Sequence, residues 1–425
     1  MIQELLQKYN VPVPRYTSYP PANYFTDAFN NKEYESAIEA SNEALPGHIS
    51  FYVHIPFCRH LCHYCGCNSF PMMKPDVMFN YIVALHKEID KVKERLAPGR
   101  KISQIHYGGG SPTAMPAHYL KELNEHLLSG FDTIEQPEIA IECHPGYLDE
   151  AYWQSLTEAG FNRFSLGVQD FNEKVLKTVN RRPSLLPVET IFQILRSKGA
   201  RINMDFIYGL PFQTVDSFSE TITRAAALRP DRLVTFSYAH VPWVNKQQLI
   251  LEKAGLPAGE EKSRMYSSAK EIVGAAGYKT IGLDHFVLEN DELYTALQNG
   301  QLHRNFQGYC TRRTTGQVYA FGVTGISQLS SAYTQNSKDI NQYIERIESG
   351  TFAISKGYTL NRDEQITREV IETLMCNYSL DWKELAARLS LSVTEVKSAT
   401  AYDENRLREF AADGLIEFDS DHIRI

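Results

Sequence analysis

The stretch Phe51-Tyr-Val-His-Ile-Pro-Phe-Cys-Arg-His-Leu-Cys-His-Tyr-Cys-Gly-Cys-Asn68 decides how the rest of the chain is read, because it holds four of the seven cysteines. Cys58, Cys62 and Cys65 are spaced C-x3-C-x2-C, and Cys67 follows after a single glycine. Three thiolates cannot complete a tetrahedral zinc site, so a zinc knuckle would need Cys67, His63 or a remote residue as fourth ligand. An iron–sulfur cube is satisfied with three protein ligands, which leaves one iron open to bind another molecule. A disulfide framework fits neither the odd number of cysteines nor their crowding into one loop. The apolar run Ile49 to Ile55 reads as a strand, which places the metal at a strand's carboxyl end.

The composition is that of an ordinary globular protein, with 43% hydrophobic and 22% charged residues, and 425 residues are enough for two or three domains. A net charge of −8 disfavours nucleic acid as a partner, and an anionic ligand would need a locally basic pocket. The first residues lack the basic start and apolar run of a signal peptide, and no stretch is long enough to span a membrane. A cytoplasmic location with reduced thiols is therefore expected.

From residue 49 onward strand-like and helix-like runs alternate, the pattern of parallel βαβ units. Strands are expected at Ile49–Ile55, Ile102–Tyr107, Ile139–Cys143, Arg163–Val168, Ile202–Tyr208 and Arg232–Tyr238. Between them lie helical faces: one from Pro75 with Ile82, Leu85, Ile89, Val92 and Leu96, then Leu120, Leu123 and Leu127. Further faces carry Leu148, Tyr152 and Leu156, then Val188, Ile191 and Leu195, then Phe218, Ile222 and Ala225. Six units in this length suit a partial barrel better than an eight-stranded one, which takes about 250 residues, although a doubly wound sheet shares the local pattern.

In either architecture ligands gather where the strands end. The second strand closes on Gly108-Gly-Gly-Ser-Pro-Thr113, whose backbone can approach a ligand closely. The third closes at Glu142 and the fourth at Gln169-Asp170, and the fifth contains Asp205. Polar residues in successive units at such places are not what a plain buried strand requires.

The cysteine loop resembles that of the radical S-adenosylmethionine (SAM) enzymes. Tyr52-Val-His-Ile-Pro-Phe-Cys58 with Cys65-Gly-Cys-Asn68 is similar to the oxygen-independent coproporphyrinogen III oxidases in particular. The resemblance implies a partial (β/α)6 barrel of the radical SAM type over 49–245, an N-terminal segment 1–48 lying over the active site, a barrel extension and substrate pocket over 246–360, and a helical domain over 361–425. It implies a 4Fe–4S cluster on Cys58, Cys62 and Cys65. Tyr52, Gly109, Glu142 and Ile326 correspond to contacts with the SAM on that cluster. Tyr64, Gly110, Ser111, Gln169, Arg181, Asp205 and Ala239 correspond to contacts with a second SAM. Ser111 stands where threonine is usual, and Tyr64 where some members have phenylalanine. Arg181 is suited to a carboxylate, since a guanidinium grips one with two parallel hydrogen bonds.

The implied activity is oxidative decarboxylation of two propionates of coproporphyrinogen III to vinyl groups, giving protoporphyrinogen IX. The electron would come from a donor such as flavodoxin or ferredoxin, and a monomer is expected. The Pro14–Pro21 string, Tyr238-Ala-His-Val-Pro-Trp243, Leu283-Asp-His-Phe286 and His303–Tyr309 also resemble family strings, with Arg304 placed for a propionate. A haem chaperone of the same superfamily, a radical SAM enzyme acting on haem, and a zinc-stabilised interaction protein are the rival readings. Cys67 has no assigned purpose, and Cys143, Cys310 and Cys376 read as ordinary buried thiols.

Residues 361–425 change character, with helices followed by a strand pair in a winged-helix pattern. Eight basic against fourteen acidic side chains give this segment a net charge of −6, which argues for a packing or lid domain rather than a nucleic-acid binder. Family members usually continue beyond this hairpin, so a shortened C-terminus is expected.

Overall fold

In the computed structural model, which describes residues 5, 8, 9 and 18–425, the apolar run before the cysteine loop is strand β1 (Ile49–Ile55). β2 (Ile102–Gly109), β3 (Thr133–Cys143), β4 (Arg163–Gln169), β5 (Arg201–Tyr208) and β6 (Arg232–Ser237) follow beside it in chain order, each parallel to its neighbour. Crossover helices α1 (Pro75–Lys93), α2 (Ala117–Leu128), α3 (Glu150–Glu158), α4 (Glu173–Thr178), α5 (Val188–Ser197) and α6 (Val215–Ala227) return the chain between strands. These units form the partial barrel that the resemblance implies.

Successive side chains on a strand point to opposite faces, and here the two faces differ sharply in chemistry. Phe51, Val53, Ile105, Ile141, Phe164, Leu166, Met204 and Leu233 are fully buried and join the apolar core between sheet and helices. The alternate positions are polar and meet across the inner surface. Gln104 Nε2 donates to Glu138 at 2.8 Å, Ser165 Oγ to Asp205 at 2.7 Å and Arg163 Nη1 to Asn203 at 3.0 Å. An inner face this polar must be paired within the protein or serve a ligand.

The sheet extends well past six strands. β7 (Tyr278–Ile281) and β8 (His285–Leu288) add antiparallel strands beyond β6. On the other side β9 (Gln317–Phe321) pairs in parallel with β1, followed by the antiparallel strands β10 (Ile326–Gln328), β11 (Ala332–Asn336) and β12 (Ile354–Thr359). The order of this open sheet is β12-β11-β10-β9-β1-β2-β3-β4-β5-β6-β8-β7. Six strands from residues 246–360 are thus built into the same sheet as the barrel, and β9 is a seventh parallel strand that local periodicity did not reveal.

Several boundaries differ from expectation, most by one to three residues. β3 begins at Thr133, six positions before the expected Ile139. Leu148 lies ahead of helix α3 because Asp149 caps it, its side chain accepting from Tyr152 N at 2.9 Å. Of the Pro14–Pro21 string, residues 14–17 lie outside the described residues. Farther along, Phe25 stacks on Tyr333 at 5.5 Å, and Thr26 pairs with Gly357 of β12.

The C-terminal segment has its own small core around Trp382, Leu385, Val396 and Ile423. Its strands Ser379–Asp381, His422–Arg424 and Glu417–Phe418 form a separate sheet, the first strand lying ahead of the helices Trp382–Leu389, Val393–Ala399 and Glu404–Ala412 and the other two after them. The long helix Arg362–Asn377 fastens it to the barrel: Arg368 donates to Leu329 O and Ser330 O at 3.1 and 2.8 Å.

Candidate active site

The cysteine loop is stitched to the end of β2. Gly110 N donates to Ile55 O at 2.8 Å and Ser111 N to Phe57 O at 3.0 Å. The contact is too close for side chains: a Cβ at Gly110 would stand 2.6 Å from the Pro56 carbonyl and 3.1 Å from Cys58 Sγ. Gly109 has φ +110°, and a Cβ there would meet the His54 ring at 2.6 Å. The triple glycine is therefore an approach surface to the cysteines as well as the end of a strand.

The far side of the loop is clamped by amides. Asn245 Nδ2 donates to Cys65 O at 2.8 Å, Gln248 Nε2 to Tyr64 O at 3.2 Å and Asn180 Nδ2 to Leu61 O at 2.9 Å. Gln248 is buried and also accepts from Val241 N at 2.6 Å, so it ties the segment after β6 to the cysteine loop.

A cavity of about 180 Å³ opens at the carboxyl ends of the strands. Cys58, Cys62, Cys65, Tyr64, Gly109, Gly110, Ser111, Glu142, Gln169, Arg181 and Asp205 all line it, so eleven of the fourteen residues expected in the site meet there. Tyr52, Ala239 and Ile326 do not line it. Tyr52 stands beneath, stacked on His106 at 6.0 Å, and its hydroxyl pairs with His54 Nδ1 at 3.2 Å. Ala239 is exposed just beyond β6, and Ile326 on β10 packs beside Phe25 and Tyr333. His144, Ser165 and Gly167 also line the cavity. Sequence gave no sign of them beyond their closeness to the strand ends, and the amide clamps Asn245 and Gln248 carried no signal at all.

The charges inside are arranged around Arg181. Its Nη1 donates to the Tyr64 hydroxyl at 3.1 Å and reaches Cys62 Sγ at 3.5 Å, while Nη2 bonds the Gly167 carbonyl. Burial, with help from the Glu142 charge, pushes the Asp205 carboxyl up to about 7, so near neutral pH a large share of it carries a proton it can donate. Glu142 pairs with His106 Nε2 at 3.1 Å. His144 Nδ1 accepts from Gly146 N at 3.1 Å, and burial assisted by Arg181 keeps this imidazole neutral, its proton on Nε2. That Nε2 and Gln169 Oε1 are buried without a hydrogen-bond partner, at a cost that a ligand would remove. Gln169 is also held at φ +70°, a strained conformation for a residue other than glycine.

Among the described residues no three or more His, Cys, Asp or Glu side chains close on one point as a single ion requires. Cys58, Cys62 and Cys65 instead stand along one cavity, as donors do when each holds a separate iron of a cluster. All three are free thiols. Burial pushes Cys58 up to about 12, whereas the Cys67 thiol hydrogen bond draws Cys65 down to about 6. The donor set, the Gly110 approach and the unpaired acceptor and donor nearby fit a cluster with a ligand on its open side.

Comparison with known proteins agrees. The radical SAM superfamily model matches residues 52–225, and a model described as the HemN C-terminal domain matches 360–425. The oxygen-independent coproporphyrinogen III oxidase of Pseudomonas aeruginosa is 39% identical over 99% of this chain and 91% of its own. That of Escherichia coli K12 is 38% identical with the same coverage, and that of Synechocystis 36% identical over 97% of this chain and 89% of its own. The chain belongs to the oxygen-independent coproporphyrinogen III oxidases. A solved structure of this family, the E. coli coproporphyrinogen III oxidase described as a radical SAM enzyme, superposes with a TM-score of 0.90 at 36% identity, covering 99% of this chain and 94% of that one. As a radical SAM oxidoreductase of this family, the chain has a 4Fe–4S cluster and SAM as its cofactors.

Proposed function

We propose that this protein decarboxylates two propionates of coproporphyrinogen III to vinyl groups without oxygen, giving protoporphyrinogen IX. The observation that carries the reading is the meeting of three free thiols with the ends of β2, β3 and β4 in one cavity, in a chain related over its whole length to enzymes of that name. Cys58, Cys62 and Cys65 would hold the cluster, which would supply the one electron needed to cleave SAM; after hydrogen removal from the substrate propionate, loss of carbon dioxide and of one electron to an acceptor would leave the vinyl group.

The protein's own residues bind and orient. Gly109 and Glu142, with Tyr52 beneath and Ile326 at the flank, hold the SAM on the cluster. Tyr64, Gly110, Ser111, Gln169, Arg181, Asp205 and Ala239 hold a second SAM, with Arg181 as the carboxylate clamp and Asp205 as a hydrogen-bond donor when protonated. Arg304, on the hairpin that joins Leu302–Asn305 to Gly308–Thr311, takes a propionate. The N-terminal segment and the C-terminal domain cover the barrel mouth and keep stray hydrogen donors from the radical. A flavodoxin- or ferredoxin-class carrier reduces the cluster, and the enzyme works as a cytoplasmic monomer.

The test is anaerobic incubation of reconstituted protein with dithionite, SAM and coproporphyrinogen III. Carbon dioxide and 5′-deoxyadenosine forming together is the expected result. Deoxyadenosine without carbon dioxide would keep the radical chemistry and overturn the substrate.

A further inference from the structure

Outside the cavity, on the solvent side of the cysteine loop, lies an open cleft of about 480 Å³. His60 and Arg181 line both the cleft and the cavity, so the two adjoin across the loop carrying Cys58 and Cys62. At its rim Tyr147 is held between cations. The Arg59 and Arg182 guanidinium groups stand 5.6 and 5.3 Å from its ring centroid, and its hydroxyl bonds His60 Nδ1 at 2.6 Å. Lys174 and Lys177 on α4 extend the same face, Lys174 lying 3.9 Å over the Phe212 ring. Arg59, Lys174, Lys177 and Arg182 are all exposed, and none pairs with a carboxylate among the described residues. Glu173 is the acidic member of the cleft. In a chain of net charge −8, a cationic face here requires a reason.

We propose that this face docks the physiological reductant, an acidic one-electron carrier protein with a flavin or iron–sulfur centre. The inference rests on the proposed function, which consumes one electron for each SAM that is split; the carrier is oxidised by that one electron. Opposite charges bring the carrier's redox centre against the outer side of the loop whose cysteines line the cavity. The chemistry suits a protein better than a small anion. A small-ligand site converges buried donors on an enclosed volume, whereas here the cations sit at the tips of exposed side chains from separate segments. Exposed Leu185 (51%) and Phe212 (44%) add apolar area, and tyrosine flanked by arginines is the composition of an interface centre.

The test compares reconstituted wild-type enzyme with the double variant Lys177→Glu/Arg182→Glu, both positions being exposed and outside the cavity lining. Bleaching of the cluster is followed by stopped flow with reduced flavodoxin and, separately, with dithionite. Charge reversal is expected to slow reduction by flavodoxin about tenfold or more at roughly 50 mM salt, and raising the salt to roughly 300 mM should shrink the difference. Dithionite reduction and dithionite-driven turnover should be unchanged. Reduction of the variant by flavodoxin at the wild-type rate overturns the proposal. So does a raised KM for coproporphyrinogen III in the dithionite assay, which would assign the cleft to the substrate's carboxylates. Failure of the proposed function itself would read differently, as a wild-type enzyme that dithionite reduces but that releases no carbon dioxide.

Discussion

At the amino ends of the barrel strands, charged groups are buried and paired with one another; at the carboxyl ends, buried polar groups are left without partners. Arg163 and Arg232, the first residues of β4 and β6, meet Glu138, Asp291 and Glu292: Arg163 Nε lies 2.6 Å from Glu138 Oε2, and Arg232 Nε 2.9 Å from Asp291 Oδ2. Burial alone would raise Glu138, but the two guanidinium groups outweigh it and hold the carboxyl down at about 2. That end is finished, a polar plug closing the barrel floor. At the other end Gln169 Oε1 and His144 Nε2 have no partner and three thiols stand free. Other buried polar atoms of the fold also lack partners, but these two face a cavity in which a ligand could satisfy them.

The largest expected effect is at the unfinished end. Cys62→Ala should abolish turnover and remove the brown chromophore with its iron, while the melting temperature of the apo chain stays close to wild type. Persistent colour and iron would mean that other residues hold the cluster.

Two glutamates on one strand and one face make the sharpest contrast. Glu138 belongs to the floor and its side chain is 14% exposed; Glu142, four residues on, belongs to the cavity mouth and is 46% exposed. Glu138→Gln leaves Arg163 and Arg232 short of a buried counter-charge and should cost about 3–5 kcal/mol in chemical denaturation. Glu142→Gln should cost less than about 1 kcal/mol and yet remove most activity, read as weakened SAM binding in equilibrium dialysis. Equal effects of the two on stability would break the comparison.

Arg181→Ala should raise the KM for SAM and lower kcat/KM by about 100-fold, with Arg181→Lys recovering little because a point charge cannot reproduce a two-pronged grip. Recovery by lysine would show that charge alone is needed.

The smallest effect is one of pH. Glu88 on α1 is fully buried and accepts from Tyr343, Gly322 N and Asn336, holding the turn that leads into β10; burial still pushes its carboxyl up to about 7. Because the folded value exceeds the unfolded one, its contribution is whole below about pH 4.5 and is lost as pH rises through 7, a decline of up to about 3 kcal/mol. Glu88→Gln should flatten the fall in Tm between pH 5 and pH 8. A variant whose Tm falls as steeply as the wild type would remove Glu88 as the cause.

The barrel was legible because each strand carries its apolar residues on one face and each crossover helix repeats them at three and four positions, as Phe164, Leu166 and Val168 on β4 illustrate. Most of the cavity could be anticipated because Cys58, Gly109, Glu142 and Asp205 break that apolar rule at equivalent heights. β9 was not legible, since Gln317-Val-Tyr-Ala-Phe321 is buried throughout and finds β1 across more than two hundred and fifty residues of chain. The floor was not legible either: Arg163 and Arg232 stand in the sequence only as the first residues of expected strands, Glu138 carries no signal, and only the tertiary fold brings them together. Tyr52, Ala239 and Ile326 came from family likeness alone, and none of them lines the cavity.

The account stands or falls on a cluster with one open iron at the Cys58–Cys62–Cys65 loop. Electron paramagnetic resonance of the anaerobically reconstituted, dithionite-reduced protein, recorded with and without SAM, tests it directly. A reduced 4Fe–4S signal that changes shape when SAM is added is the predicted result. A colourless protein holding one equivalent of zinc, or a cluster signal indifferent to SAM, would contradict it.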